Sequence, residues 1–345
     1  MKIRSPRRAL TAALSAIVAT AALTACGAAS SSDDDSASDA SATSSASAGP
    51  WSWTDDTGNA IELDSQPTRV AAYADQALAL LSYGIKPVAI FGRVDVASDP
   101  RFADYDLSGV AIVGNSYGEI DLEALAAASP QLIVTGIYPT DRKGTLDTSG
   151  PYYGVADAEQ QKQLEKIAPV GAIKIGGEGL DVVESTTALA ESLGADKDDV
   201  ADDKAEFEEA AQELGEAAKE HPDIEVTQLY ADADGLYVVK IADEPETQMY
   251  AGFGVNYTDL NPGGDYYWDI YSWENAAKMM SGDVILANVE GYQAKQLAKQ
   301  PTFADDPALK AGQVYSWNGA AMDYTSQAKQ MEKLADLIDD AKDVA

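Results

Sequence analysis

A capped helix, a tight turn and an apolar strand follow one another twice in this chain, and their separation leaves few folds open. The first occurrence runs from Ile120 to Gly136, with Asp121 as the cap, Glu123 in the first helical turn and Leu132-Ile133-Val134 as the strand. The second runs from Ser272 to Ala287, with Ser272 as the cap, Glu274 in the first turn and Val284-Ile285-Leu286 as the strand. Each reads as a short helix feeding a buried strand. Glu123 and Glu274 stand 151 positions apart, too far for a solenoid repeat and suited to two lobes of similar build.

Strand and helix patterns alternate around both units. In the first half, strands are predicted at Arg69–Tyr73, Val88–Phe91, Ala111–Val113, Leu132–Thr135 and Val170–Ile175, the first followed by a helix through Leu81 that ends near Gly84. In the second half they fall at Glu225–Tyr230, Leu236–Val239, Val284–Ala287 and, more briefly, Val314–Ser316. This rhythm predicts an α/β protein of two lobes, each a mostly parallel sheet flanked by helices. Between them, Asp198 to Lys219 reads as an acidic helix with a thin apolar stripe and only Gly215 against it; at 1.5 Å per residue it spans about 33 Å. Ahead of the first strand, Asp55-Asp56-Thr57-Gly58-Asn59 between two alternating runs reads as a hairpin. The last helix, Ser326 to Lys342, carries Met331, Leu334, Leu337 and Ile338 on one face for packing back on the body.

The start of the chain has a different character. Residues 1–25 combine a basic opening with an apolar run from Ala9 to Ala25, as an export signal does. The run is too short and too interrupted by Thr and Ser for a spanning helix, which needs about 20 predominantly apolar residues. Leu23-Thr24-Ala25-Cys26-Gly27 resembles the lipobox of bacterial lipoproteins, which implies that Cys26 is lipidated and becomes the first mature residue. Arg7-Arg8 leaves twin-arginine export open beside the general route. Residues 27–50 hold nine Ser, seven Ala and four Asp, too little apolar surface to fold. The expected organisation is therefore 1–25 signal, 26–50 lipidated Cys and tether, 51–197 first ligand-binding lobe, 198–220 connecting helix, and 221–345 second lobe with the final helix packing back. The folded part would hang from the outer face of the cytoplasmic membrane by its lipid alone.

Composition removes several classes of function. The formal charge of −33 repels nucleic acid, whose affinity rests largely on Lys and Arg neutralising phosphates. One cysteine and one histidine allow no internal disulfide and no Cys/His metal cluster, so no protein metal ligands are expected.

The region from about Trp53 onward resembles bacterial ATP-binding-cassette substrate-binding proteins of the iron-siderophore/cobalamin type. The resemblance rests on Thr54-Asp55-Asp56-Thr57-Gly58 ahead of Pro67-Thr68-Arg69-Val70-Ala71, on Gly84-Ile85-Lys86-Pro87-Val88, on Ile120 to Val134 and on Pro307-Ala308-Leu309-Lys310-Ala311-Gly312-Gln313-Val314-Tyr315. It implies two lobes joined by one long helix and only modest closure. It also implies that Glu123 and Glu274, one acid per lobe, dock onto arginines of a permease dimer. A first-turn carboxylate is stabilised there by roughly 0.3–1 kcal/mol through the helix dipole, which by itself would explain both residues.

Ligands in open α/β sheets sit beyond the carboxyl ends of the strands. Those ends offer Tyr73, Arg93, Tyr117, Tyr138 and the Tyr152-Tyr153 pair in the first lobe. The second offers Tyr230, Tyr237, Tyr266, Tyr267, Trp268, Tyr271, Tyr292 and Trp317. The expected ligand-binding set is Tyr73, Arg93, Tyr117, Tyr138, Tyr237, Trp268, Tyr292 and Trp317. Seventeen tyrosines against five phenylalanines favour amphipathic rings that suit a bulky ligand with exposed oxygens. Only Arg93, with Arg101, Arg142 and Lys143 as further bases, stands against many acids. That balance disfavours strongly anionic ferric tris-catecholates and suits a neutral or cationic ferric hydroxamate of the ferrioxamine kind, whose siderophore carries the iron so that no cofactor is needed. In the hydroxamate-binding branch of the family, contacts come from places that Tyr117, Tyr138 and Trp317 occupy here, although the branch's basic residue before the docking helix is the tyrosine Tyr117. The implied partners are a ferric siderophore and a permease dimer, and the protein is expected to act as a monomer.

Three other readings compete. Cobalamin or haem could take the place of the siderophore. Gly114-Asn115-Ser116-Tyr117-Gly118 fits a hydrolase nucleophile elbow, with His221 the sole possible base for an esterase using Ser116; yet the elbow needs its helix at once, and the cap here is Asp121. A lipid-anchored adhesion protein would need no cleft, and its aromatics would form an exposed patch.

Overall fold

The computed structural model describes residues 49–279 and 282–344; the export signal, Cys26 and most of the tether lie outside the described residues. Trp51–Thr54 (β1) and Ala60–Leu63 (β2) form the antiparallel hairpin, Trp51 opposite Leu63. Asp55 organises its turn by accepting the Thr57 and Asn59 backbone N–H groups, each at 2.9 Å. The two aspartates then reach beyond the hairpin: Asp55 accepts the Ala172 N–H at 3.0 Å and Asp56 the Lys174 N–H at 2.8 Å. Both donors belong to an edge strand, so the hairpin covers an edge that would otherwise be open.

That edge closes the first sheet. Val70–Tyr73 (β3), Ala89–Phe91 (β4), Ala111–Gly114 (β5), Leu132–Ile137 (β6) and Val170–Lys174 (β7) lie in the order β5-β4-β3-β6-β7, all parallel. Successive side chains point to opposite faces. Ala72, Ile90, Val134 and Ile173 pack with Leu78 of Ala74–Ser82 (α1) and Val183 of Gly179–Ser192 (α4). Ala71, Phe91, Ile133 and Ala172 pack with Leu125 of Leu122–Ala127 (α2) and Leu164 of Ala158–Ile167 (α3). Both faces are covered, which is why these strands read as unbroken apolar runs.

Lys197–Glu220 (α5) follows, capped by Asp196, and in the chain it is the link between the two sheets. Its 24 residues span about 36 Å. The thin stripe is what it buries: Val200, Phe207, Ala210, Leu214, Ala217 and Ala218. Gly215 has a packing reason, since a Cβ there would stand 3.0 Å from the Phe253 carbonyl oxygen at the end of Pro245–Phe253 (α6).

The second sheet is mixed. Val226–Ala231 (β8), Gly235–Val239 (β9), Trp268–Ser272 (β10), Val284–Asn288 (β11) and Val314–Trp317 (β12) lie in the order β10-β9-β8-β11-β12, with β8, β11 and β12 parallel and β9 antiparallel to both neighbours. Only three residues separate β8 from β9, and a link that short joins only antiparallel strands. The strand β10 escapes the sequence pattern because it is a half-exposed edge, with Ile270 63% accessible. The second helix–turn–strand unit also departs from expectation. Ser272 ends β10, and Trp273–Met279 is a 3₁₀ helix, not an α-helix. Trp273 pins this segment, donating its indole N–H to the Asp232 carbonyl at 3.0 Å and stacking on Tyr292; short tight helices of this kind suit connectors.

Ala294–Leu297 (α7) and Pro307–Ala311 (α8) complete the second half before Tyr324–Asp339 (α9). This helix buries Met331, Leu334 and Ile338 against α5, with the Phe207 and Tyr324 rings 5.3 Å apart. Its first residue accepts a tie to the opposite half: the Tyr324 N–H donates to the Tyr83 hydroxyl at 3.2 Å. Among the described residues no helix is long and apolar enough to cross a membrane.

Candidate ligand-binding cleft

A cleft of about 480 Å³ opens where the carboxyl ends of the two sheets face each other. The start of α1 supplies Asp75 and Gln76, the turns after β4 and β6 supply Arg93 and Tyr138, and the ends of β8, β11 and β12 supply Tyr230, Glu290 and Trp317. Tyr153 adds a ring from the first half, and Glu244, Glu246, Tyr266, Tyr267 and Trp268 add the far wall.

Of the eight residues expected to bind ligand, the structure brings Arg93, Tyr138, Trp268 and Trp317 to this lining. Tyr73 is buried behind it, its ring 5.3 Å from Tyr153. Tyr117 stands at the rim, 51% accessible, its ring also 5.3 Å from Tyr153. Tyr237 supports the wall from behind, 5.5 Å from Tyr230 and 6.3 Å from Trp268. Tyr292 faces away, stacked on Trp273. The hub that the expected set lacked is Tyr153, whose ring also meets Tyr138 at 4.7 Å. Pairing Tyr152 with Tyr153 in the sequence gave no sign of which ring lines the cleft; Tyr152 is buried in the core and bonds Thr57 through its hydroxyl, away from the lining.

The far wall holds backbone strain. Tyr267 sits at φ 72°, a left-handed conformation unusual for a bulky residue. Its N–H donates to Asp243 at 2.9 Å and its carbonyl accepts from Lys240 N–H at 3.0 Å, which hold it there. Burial pushes the Tyr138 and Tyr267 hydroxyls well above the usual range, so both are neutral donors.

Three arginines cross from the first half to the second. Arg93 donates to Glu290 at 2.9 and 3.1 Å and to the Tyr153 hydroxyl at 3.2 Å. Arg101 pairs with Asp75 at 2.9 Å and Asp99 at 2.7 Å, and reaches the Gly319 carbonyl at 3.3 Å. Arg142 grips Asp243 at 2.7 Å and the Gly264 and Asp265 carbonyls at 2.9 and 3.1 Å, outside the lining. Burial alone would raise Asp99 and Asp243, but hydrogen bonds from Arg101 and Arg142 outweigh it and hold both carboxyls below the usual range.

Two acids remain, Glu246 buried and Glu244 half-buried. Glu246 is 3% accessible and accepts from the Trp317 indole at 3.2 Å, the Ala320 N–H at 2.9 Å and the Gln327 amide at 3.4 Å. Glu244 caps α6, accepting the Thr247 N–H at 2.7 Å. Burial, reinforced by the neighbouring Glu244 charge, pushes Glu246 up to about 7, and burial raises Glu244 as well. Nothing in the sequence Asp243-Glu244-Pro245-Glu246 marks two cleft-lining carboxylates.

Glu123 and Glu274 are exposed, in the first turns of α2 and of the 3₁₀ helix. The Glu274 carboxyl is held below its usual range by its own backbone N–H and by the Ser272 hydroxyl. Ser116 and His221 are not joined by any hydrogen bond among the described residues. Ser116 lies in the loop after β5, six residues before α2 begins, and His221 ends α5 with Nε2 3.4 Å from Asp339. Among the described residues no three His, Cys, Asp or Glu converge as a metal site.

Comparison with known proteins agrees with this architecture. No curated protein sequence matches the chain. A ferric-siderophore receptor protein, DesE from Streptomyces coelicolor, is 30% identical with a TM-score of 0.75, the match covering 86% of this chain and 100% of that one. The petrobactin-binding protein YclQ from Bacillus subtilis is 16% identical with a TM-score of 0.61, covering 84% and 98%. A FhuD fold-family binding protein of a ferrichrome transporter, also from Bacillus subtilis, is 20% identical with a TM-score of 0.56, covering 79% and 97%. The periplasmic binding protein family model matches residues 70–321. By that match and by a 30% identical relative covered along its whole length, the chain belongs to the periplasmic binding protein family and has its two-lobed class III fold.

Proposed function

We propose that this protein is the lipid-anchored binding component of an importer, capturing a ferric siderophore of the hydroxamate type in the cleft and handing it to a permease. The siderophore reading draws support from DesE, a ferric-siderophore receptor. The ligand type is carried by one observation: each arginine lining the cleft is already neutralised, Arg93 by Glu290 and Arg101 by Asp75 and Asp99. A strongly anionic tris-catecholate would meet acids and engaged guanidinium groups. A neutral or cationic hydroxamate complex would meet Tyr138, Tyr153, Tyr267 and Trp268, whose rings bury apolar surface while hydroxyl and indole edges donate to hydroxamate oxygens. The iron travels in its chelator and asks nothing of the protein's own side chains.

In this reading Cys26 carries the lipid, residues 27–50 tether the lobes to the outer face of the membrane, and Glu123 and Glu274 dock one on each permease subunit. The α5 link is a continuous helix, so lobe movement is small and the arginine contacts across the cleft set its limits.

Trp268 and Trp317 line the cleft, so binding is readable as quenched tryptophan fluorescence. Titration with ferric hydroxamates, ferric catecholates, cobalamin and haem should rank a hydroxamate tightest by tenfold or more over a catecholate. A catecholate, cobalamin or haem binding tighter than every hydroxamate overturns the assignment.

A further inference from the structure

The charge pairing in the cleft is incomplete. With Arg93 and Arg101 engaged, Glu244 and Glu246 are the lining acids left over, and no ion pair among the described residues reaches either. Their hydrogen-bond donors are all neutral: an indole, an amide and backbone N–H groups. Lys333 lies 4.6 Å over the Trp317 ring and acts on Glu246 through space without forming an ion pair with it. Carboxylates buried without a cation are costly unless something compensates them.

A second observation points the same way. Gln76, in the first turn of α1, is 7% accessible and lines the cleft, yet its amide oxygen has no hydrogen-bond partner. From the opposite half, Gln228 presents an amide oxygen with the same deficit. Gln228 precedes Leu229, which pairs with Val238 of β9, and lines the cleft together with Val239, Trp268 and Glu244. Acceptors thus gather from both halves around surplus negative charge and aromatic faces.

We infer that Glu244, Glu246 and the Gln76 and Gln228 amides form a subsite for a primary ammonium group, and that the preferred ligand is a ferric hydroxamate with a free amine. The claim rests on the hydroxamate reading above and makes it narrower. An ammonium group brings three donors on one compact charge, and Tyr267 and Trp268 add ring faces that attract cations. With Glu246 titrating at about 7, about half of it holds a proton at neutral pH; an arriving ammonium replaces that proton and releases it. Of the other titratable groups facing it, Glu244, Tyr250, Tyr257 and Tyr267 are raised by the same burial, and burial lowers Lys333, the one cation that acts on it among the described residues.

The test compares ferrioxamine B, which ends in a primary ammonium, with its N-acetyl derivative by isothermal titration in two buffers of different ionisation enthalpy. The intact protein should prefer ferrioxamine B by tenfold or more and release a proton fraction that the acetylated ligand does not. In Glu244→Gln, Glu246→Gln and the double variant the preference should fall below twofold and the proton release should vanish; melting curves confirm that each is folded. Equal affinity for the two ligands, or a preference that survives in the double variant, overturns the subsite. Should neither hydroxamate bind, the functional reading falls, and the subsite is judged with 1,5-diaminopentane alone. Saturable binding lost in the double variant upholds it, and no saturable binding to the intact protein refutes it.

Discussion

Replacing Glu246 with glutamine should stabilise the protein at alkaline pH and not at acidic pH. The Glu246 carboxyl is raised from an ordinary 4.5 to about 7 by burial and by Glu244, so the folded chain holds this proton more tightly than the unfolded one. Its contribution to stability is complete below about 4.5 and is lost as pH rises through 7. At about 1.4 kcal/mol per pH unit, the ionised form costs about 3 kcal/mol above pH 8. Glutamine imitates the protonated form, but its single carbonyl oxygen must serve both the Trp317 and Ala320 donors. Subtracting about 1 kcal/mol for a weakened hydrogen bond leaves a gain of about 2 kcal/mol, or about 3 °C in Tm for a folded region of this size. Asp323, also raised to about 7 by burial, is common to both proteins and cancels in the difference. Calorimetry from pH 5 to 9 reads the result. A Tm difference that is the same at pH 5 and pH 8.5, or that favours the native protein at pH 8.5, refutes the reasoning.

Two further outcomes follow from the same structure. Glu123→Ala combined with Glu274→Ala should abolish ligand uptake in cells while leaving the affinity of the isolated protein within twofold, and a loss of affinity would refute the docking role. Gly179→Ala should destabilise the protein by about 2 kcal/mol or more: a Cβ there would stand 2.2 Å from the Pro245 backbone carbonyl oxygen, where α4 meets α6, and backbone cannot rotate away. Urea unfolding measures it, and an unchanged midpoint would show that the two helices part freely.

Much of the architecture is legible because it depends on local periodicity. The strands β3, β4, β6 and β11 are covered on both faces, so each appears as an unbroken apolar run. The α5 helix is legible through its length, and α9 through the spacing of Met331, Leu334 and Ile338. The edge strand β10 is not, because its exposed positions carry apolar residues and erase the alternation. The second helix–turn–strand unit matches the first in letters, but Trp273 is anchored to Asp232 and Tyr292, contacts made by residues far along the chain.

The site divides in the same way. The strand-end rule led to Arg93, Tyr138 and Trp317 because the carboxyl end of a strand is defined within the strand itself, whereas Trp268 reaches the cleft from the amino end of β10. Whether a neighbouring ring turns inward, as Tyr153 does, or away, as Tyr292 does, depends on what packs against it. Composition alone told of an acidic protein poor in cleft bases, since charge is additive and needs no coordinates. Which acids are neutralised and which are not is decided by contacts spanning 197 residues, as for Arg93 and Glu290, or 26, as for Arg101 and Asp75. A carboxylate's partner and its burial are tertiary quantities, and only the folded chain singles out Glu244 and Glu246 as the lining acids without an ion pair among the described residues.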